Sequence, residues 1–269
     1  FQDDTAPLIE NFVIKGGVAT LKAQAQCPFK ANAETRLQAK PLLEPQNILN
    51  AAQRGSLVHI ILERFWEQCG SQKRLLEWLS TDLLTKLTSI IAKTLKSWQV
   101  KMPLLLTPSY ISLESQRLMQ LTYNWLKYEA QREPFIVVKL EQKVPVKVGP
   151  LYLNLQIDRI DQQDNGELLI IDYKTGAVNF SEWYSDPIYD PQLPLYAVYA
   201  IGNFTAVAIA MLQPKDMRLI FANTEQQNWQ VILEKTAQQF AAGEAVVQPY
   251  SNKICKNCKL HALCRIYDK

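Results

Sequence analysis

No apolar run in the 269-residue chain approaches the roughly 18 residues that a membrane-spanning helix needs. No charged-then-apolar leader opens it either, so neither a membrane anchor nor a secretory signal is expected. The text holds no G-x4-GK[ST] phosphate loop, which leaves a nucleotide-driven motor without its signature. No internal repeat or low-complexity tract interrupts it. Neither sign of charge dominates: 29 Lys and Arg against 26 Asp and Glu give a formal net charge of +3. That balance permits a nucleic-acid partner without arguing for one. Histidine occurs only twice and cysteine five times, an odd count. Disulfides are rare in the cytosol, so clustered cysteines there point to metal or redox chemistry instead. What remains is 48% hydrophobic and 20% charged, enough for one large core. The expectation is a soluble cytoplasmic domain. A first residue of Phe rather than Met suggests a piece of a longer polypeptide.

Along the chain, residues 1 to 16 read as an irregular lead-in. "NILNAAQRGSLVHIILERFWEQ" carries helical spacing that Gly55 should interrupt. Residues 71–132 read as a helical insert, broken near "MPLLLTPS". From Phe135 the period changes to two, and three strands follow: "FIVVKLEQKVPVKV", "LYLNLQIDRID" and "ELLIIDYKTG". A helix is predicted next, with Asp190 as N-cap and Pro191 at its first position. Two more strands precede a helix capped by Thr224, and residues 250–269 form a cysteine-bearing tail. The whole reads as one mixed α/β domain.

Within "IIDYKTG", Asp172 and Lys174 share a strand face amid apolar residues. Buried charge is costly unless it is paired or binds a metal. One strand earlier lies Asp158. A two-residue Asn165-Gly166 turn would set Asp158 opposite Tyr173. A three-residue Asp164-Asn165-Gly166 loop sets it opposite Asp172, with Gly166 in the left-handed position that this loop favours. The three-residue loop is expected, placing Asp158, Asp172 and Lys174 on one face. Facing carboxylates repel unless a cation separates them, and hard oxygen ligands favour Mg²⁺ or Mn²⁺. A neighbouring lysine can orient a water or stabilise phosphate charge. Spacing alone also fits a plain Asp–Lys ion pair, with Asp158 paired to Arg159.

The ordered set Gly55-x-x-x-His59, Asp158, Asp172-Tyr173-Lys174 and Gln192-x-x-x-Tyr196 resembles the PD-(D/E)XK nuclease superfamily. It is most similar to the RecB/AddB-type nuclease domains of bacterial double-strand-break repair helicase–nucleases. The leading "PD" appears here as Ile157-Asp158. The resemblance implies a restriction-endonuclease-like fold, a mixed central sheet flanked by helices. It makes His59, Asp158, Asp172 and the Tyr173 carbonyl metal ligands, and gives Lys174 the water and the scissile phosphate. It aims Gln192 and Tyr196, on one helix face at i and i+4, at the same site. Glu141 resembles an acid often found just upstream of the first Asp. Arg159 and Asp161 alternate to the opposite face and read as structural.

"CKNCKLHALC" supplies Cys255, Cys258 and Cys264, and Cys27 in "AQCPFK" lies 255 − 27 = 228 residues upstream. Thiolates suit tetrahedral zinc or an iron–sulfur cluster, and His261 could serve a zinc ion. The resemblance implies a [4Fe–4S] cluster on the four cysteines, pinning the two ends together. Cys69 fits no set. The implied activity is Mg²⁺- or Mn²⁺-dependent hydrolysis of DNA, as an exonuclease on single-stranded ends in repair and recombination. The implied partner is a helicase domain or subunit. The alternatives are a nuclease-like DNA-binding domain without catalysis and a zinc-stabilised interaction domain. Aromatic–charged stretches such as "SWQVKMP" and "SEWY" could stack bases, but helical spacing makes them core.

Overall fold

The turn at Asp164–Gly166 fixes the central register. Gly166 takes φ +84°, a conformation that costs glycine nothing. The turn closes through the Gln163 N–H donating to the Glu167 carbonyl at 2.9 Å, and Asn165 Oδ1 accepts the Glu167 N–H at 3.0 Å. Ile160 then stands opposite Ile170 and Arg159 opposite Ile171, the register of the three-residue loop. The computed structural model describes residues 4–9, 12–13, 17–40, 47–200, 204–223 and 228–267.

In chain order the elements are β1 (Phe12–Val13), α1 (Val18–Gln26), α2 (Pro28–Ala31) with a π-helical extension (Asn32–Arg36), α3 (Ala51–Cys69), α4 (Gln72–Ser80), α5 (Leu83–Lys101) and α6 (Pro108–Glu129). Then come β2 (Phe135–Val148), β3 (Leu151–Gln163), β4 (Leu168–Lys174), a 3-10 turn (Phe180–Trp183), α7 (Gln192–Tyr199), β5 (Phe204–Gln213) and β6 (Asp216–Phe221). The chain continues through α8 (Trp229–Ala241), α9 (Asn252–Asn257) and α10 (His261–Cys264). Among the described residues the sheet has six strands in the order β1-β3-β4-β5-β6, with β2 on the other edge of β3. The β2–β3, β3–β4 and β5–β6 pairs are antiparallel. The pairs β1–β3 and β4–β5 are parallel. No helix among the described residues is long and apolar enough to cross a membrane.

Two apolar layers cover the sheet. Leu153, Leu155, Ile170 and Ile209 pack with Leu21 of α1, Leu195 of α7 and Leu233 of α8. On the other side Leu169, Ile171 and Ala208 pack with Ile61 of α3, Leu75 of α4, Ile91 of α5 and Leu126 of α6. The segment expected as an insert is thus packed into this second layer. Burial along β3 follows from these layers. In its first half Tyr152, Asn154 and Gln156 are exposed between buried neighbours, whereas Ile157 to Asp161 are buried without a break. Asp158 sits where the second face of the sheet passes from open to covered.

Three local expectations change. Helix α3 runs unbroken through Gly55, because Asn50 and Gln53 form a reciprocal capping box that secures its start. A Cβ at Gly55 would lie 3.4 Å from Thr175 Oγ1, so glycine lets the helix lie against the end of β4. In α7 the N-cap is Pro191, and no side chain caps it. Asp190 instead pairs with Lys22 at 3.3 Å. Helix α8 begins at Trp229, and Thr224 lies outside the described residues.

Candidate active site

The β3–β4 ladder stops at Arg159 opposite Ile171. Beyond it the next backbone donor, the Tyr173 N–H, goes to Asp158 Oδ2 at 2.8 Å. A side chain has replaced a strand bond, so the Asp158 carboxylate lies between the two strands. Glu141 of β2, bracketed by the Leu140–Arg159 and Gln142–Ile157 pairs, has φ +47°. Ile157 and Ile160 both pack in the same apolar layer, which strict alternation forbids. The strand kinks here, yet Asp158, Asp172 and Lys174 remain close enough to act on one another electrostatically. Asp158 turns toward His59 of α3, while Asp172 and Lys174 turn toward α7.

His59 links the two strands. Its Nδ1 lies 3.3 Å from Asp158 Oδ2 and its Nε2 lies 2.9 Å from the Tyr173 carbonyl oxygen. Both ring nitrogens face acceptors. Burial alone would lower the His59 pKa, but Asp158 outweighs it and the net direction is upward. Ligand atoms of His59, Glu141 and Asp158 all lie within 4.8 Å of one another. They line a cavity of about 380 Å³ with Glu63, Gln156 and Gly55. Glu63 is held protonated to higher pH, first by burial and then by Glu141. Gln156 donates through Nε2 to Glu141. From the sequence, Glu63 is only a helix-face neighbour of His59, and Gln156 is not singled out.

On the α7 side, Lys174 Nζ lies 2.6 Å from Asp172 Oδ2 and donates to Gln192 Oε1 at 2.6 Å. Gln192 Nε2 donates to Asp172 Oδ1 at 2.5 Å and to the Tyr196 hydroxyl at 2.9 Å. That hydroxyl donates to the Gln156 carbonyl. One amide thus sets the acid, the ammonium and the phenol. Burial first, then Asp158, pushes the Asp172 carboxyl up to about 6. Burial would lower Lys174, yet Asp172 prevails and keeps it charged to higher pH.

Behind the site Tyr173 turns its ring the other way. Arg159, wholly buried, donates to the Tyr173 hydroxyl at 3.0 Å, to Glu129 at 2.8 Å and to Asp161 at 2.6 and 2.7 Å. Its guanidinium also stacks 4.0 Å from the centre of the Trp66 ring. Glu129 and Asp161 are completed by Arg132, at 2.5 and 3.0 Å. Tyr173 is clamped at its hydroxyl by this network and at its carbonyl by His59. The structural reading of Arg159 and Asp161 matches these contacts.

A family model described as the PD-(D/E)XK nuclease superfamily matches residues 18–265. The chain belongs to the PD-(D/E)XK nuclease superfamily. Among solved structures it is similar to one described as the crystal structure of SSO0001, at 15% identity and a TM-score of 0.36, covering 88% of this chain and 93% of that one. No curated protein matches it.

Superfamily membership makes a metal-dependent nuclease the coarse reading, and Mg²⁺ or Mn²⁺ the general cofactor of such enzymes. The donor set fits a divalent ion. Two carboxylates and an imidazole converge beside the Tyr173 carbonyl, which His59 Nε2 already meets at 2.9 Å. Asp172 lies outside the 4.8 Å group; its Oδ1 accepts from Gln192 and its Oδ2 faces the Lys174 ammonium.

In this nuclease-superfamily chain Cys27 and the tail cysteines act on one another electrostatically, but among the described residues they do not form a ligand group as tight as that of His59, Glu141 and Asp158. Cys27 and Cys255 are buried. Burial pushes the Cys27 thiol up, with Cys258 adding to it. Cys255 shifts the same way, through burial and then Cys27, Cys264 and Cys258. Backbone bonds tie the same regions, the Phe29 N–H to the Val246 carbonyl at 3.1 Å and the Tyr250 N–H to the Gln26 carbonyl at 2.9 Å. His261 Nε2 lies 2.5 Å from the Cys255 carbonyl, so its ring is engaged with backbone. Cys69 is a buried thiol apart from this group, bonded to the Ser71 carbonyl at 3.4 Å.

Proposed function

We infer that the chain is a Mg²⁺- or Mn²⁺-dependent deoxyribonuclease that hydrolyses phosphodiesters, acting as an exonuclease on single-stranded DNA ends. The observation that carries this is the convergence of His59, Glu141, Asp158 and the Tyr173 carbonyl beside a lysine held by Asp172 and Gln192. The divalent ion supplies Lewis-acid polarisation of the phosphate and an activated water. His59 and Asp158 would hold it, with the Tyr173 carbonyl and Glu141 completing the site and Asp172 joining on substrate entry. Lys174 donates to the attacking water and to the charge that develops on phosphorus oxygens. Gln192 keeps the ammonium aimed, and Tyr196 fixes Gln192 against the backbone of β3. Burial around Asp172 and Lys174 lowers the local dielectric, which strengthens these contacts.

The setting inferred is double-strand-break repair or recombination, with a helicase domain or subunit delivering the strand. The four cysteines support a structural [4Fe–4S] cluster that joins the termini; zinc is the other occupant their chemistry allows. The test is cleavage of a labelled single-stranded oligonucleotide with Mg²⁺ or Mn²⁺. Lys174→Ala should lower the rate by about 10²- to 10³-fold while the protein stays folded. A wild-type protein that cuts no faster than Lys174→Ala would end this reading.

A further inference from the structure

A second basin, about 810 Å³ in volume, adjoins the metal-ligand cavity. It is lined by Asn47, Asn50, Arg54, Arg117, Thr175 and Gly176, with Ala52 shared between the two cavities. It begins where β4 ends, at the residue after Lys174. Its volume falls in the range of ligand sites, roughly 300–1,000 Å³.

The charge of this basin is one-sided. Its two ionisable lining residues are both arginines, and beneath them lies a single buried acid, Glu114. Arg117 spends Nε and Nη2 on that carboxylate, at 3.0 and 2.6 Å. Arg54 approaches it through Nε at 3.8 Å and gives Nη2 to the Tyr110 hydroxyl at 3.2 Å. Nη1 of each arginine enters none of these contacts. Both side chains remain about one-third exposed, at 39% and 34%. Two guanidiniums share one carboxylate, which leaves a net positive charge and held donors facing the basin. Next door the metal-ligand cavity is acidic, with Glu63, Glu141 and Asp158.

We propose that this basin binds the backbone phosphate next to the scissile one, with Arg54 and Arg117 as its ligands. The assignment rests on the nuclease reading and adds to it a path for the strand. A strand whose scissile phosphate lies at Lys174 continues past Thr175, and its next phosphate meets two fixed forks. Guanidinium forks match phosphate oxygens in pairs. Glu114 and Tyr110 hold them in place beforehand, so little side-chain freedom is lost on binding.

The experiment measures binding of a labelled single-stranded oligodeoxynucleotide to the full chain across a salt series, with Ca²⁺ in place of Mg²⁺. Arg54→Gln and Arg117→Gln should each weaken affinity about tenfold and reduce the slope of log K against log salt by about 0.7. In cleavage assays the loss should fall on KM more than on kcat. Lys93→Gln, a charge removal on the exposed side of α5, should leave the slope unchanged. If an arginine variant unfolds because Glu114 is left alone, Arg117→Gln/Glu114→Gln removes the buried charge with its partner and should give the same drop in slope. Folded arginine variants with wild-type affinity and slope would overturn the proposal. So would a wild-type chain that binds no strand. A chain that binds through these arginines yet cuts nothing would keep the subsite and sink only the nuclease reading.

Discussion

Arg159 is wholly buried and meets the site only through the Tyr173 hydroxyl, yet it is the residue behind Tyr173 whose loss should cost most. Removing it leaves Glu129 and Asp161 with Arg132 as their remaining cation, and breaking a buried ion network typically costs about 3–5 kcal/mol. Arg159→Ala should therefore lower the unfolding free energy by about that amount in urea denaturation. A loss under about 1 kcal/mol would show that the network does not hold Tyr173. At this scale the sequence was informative about identity and less so about direction. Asp172 and Lys174 were legible because two charges interrupted an apolar strand. Gln192 and Tyr196 came from the family resemblance; their i and i+4 spacing shows only that they share a helix face. The nearness of Asp158 to His59 came only from the family resemblance, which made both of them metal ligands; the positive φ of Glu141, +47°, is a conformation that alternation does not anticipate.

At the scale of elements, register was readable from one glycine. Gly166 has open space around the place a Cβ would occupy, so Gly166→Ala carries only the backbone penalty of a left-handed residue, about 1–2 kcal/mol. Gly243 is the contrast: it too has positive φ, but a Cβ there would run into the Ala6 carbonyl. The same glycine accepts the Ala6 N–H at 2.7 Å, tying the first segment to the end of α8. Gly243→Ala should cost about 3 kcal/mol or more, since that segment must move. Chemical denaturation of the two variants should rank them in that order, and equal costs would contradict it. Helix ends were harder to read. Asp190 had the right residue type for a cap, but a tertiary partner, Lys22, claimed it. Gly55 looked like a break in the pattern, yet the capping box and the two apolar layers carry α3 straight through it.

For the molecule as a whole, the mixed α/β plan followed from the order of helical and period-two segments, with the change at Phe135. The packing of α4 to α6 against β4 and β5 did not, because helical periodicity gives an apolar stripe without naming the surface it covers. Residues near the two ends are joined by the Ala6–Gly243 and Asp4–Ala245 backbone bonds, and the proposed cluster on Cys27 and the tail cysteines would join them a second time. Closing so long a loop should contribute appreciably to stability. Anaerobically purified protein should be brown, and Cys258→Ser should bleach it and lower its melting temperature. Colourless protein with one equivalent of zinc would put zinc in that role. The account as a whole stands on a divalent ion held where β3 and β4 part. Anomalous diffraction from crystals soaked in Mn²⁺ tests that directly. The predicted result is a single strong peak bounded by His59, Asp158, Glu141 and the Tyr173 carbonyl, lost in Asp158→Asn. Crystals of the wild type that show no peak there would contradict it.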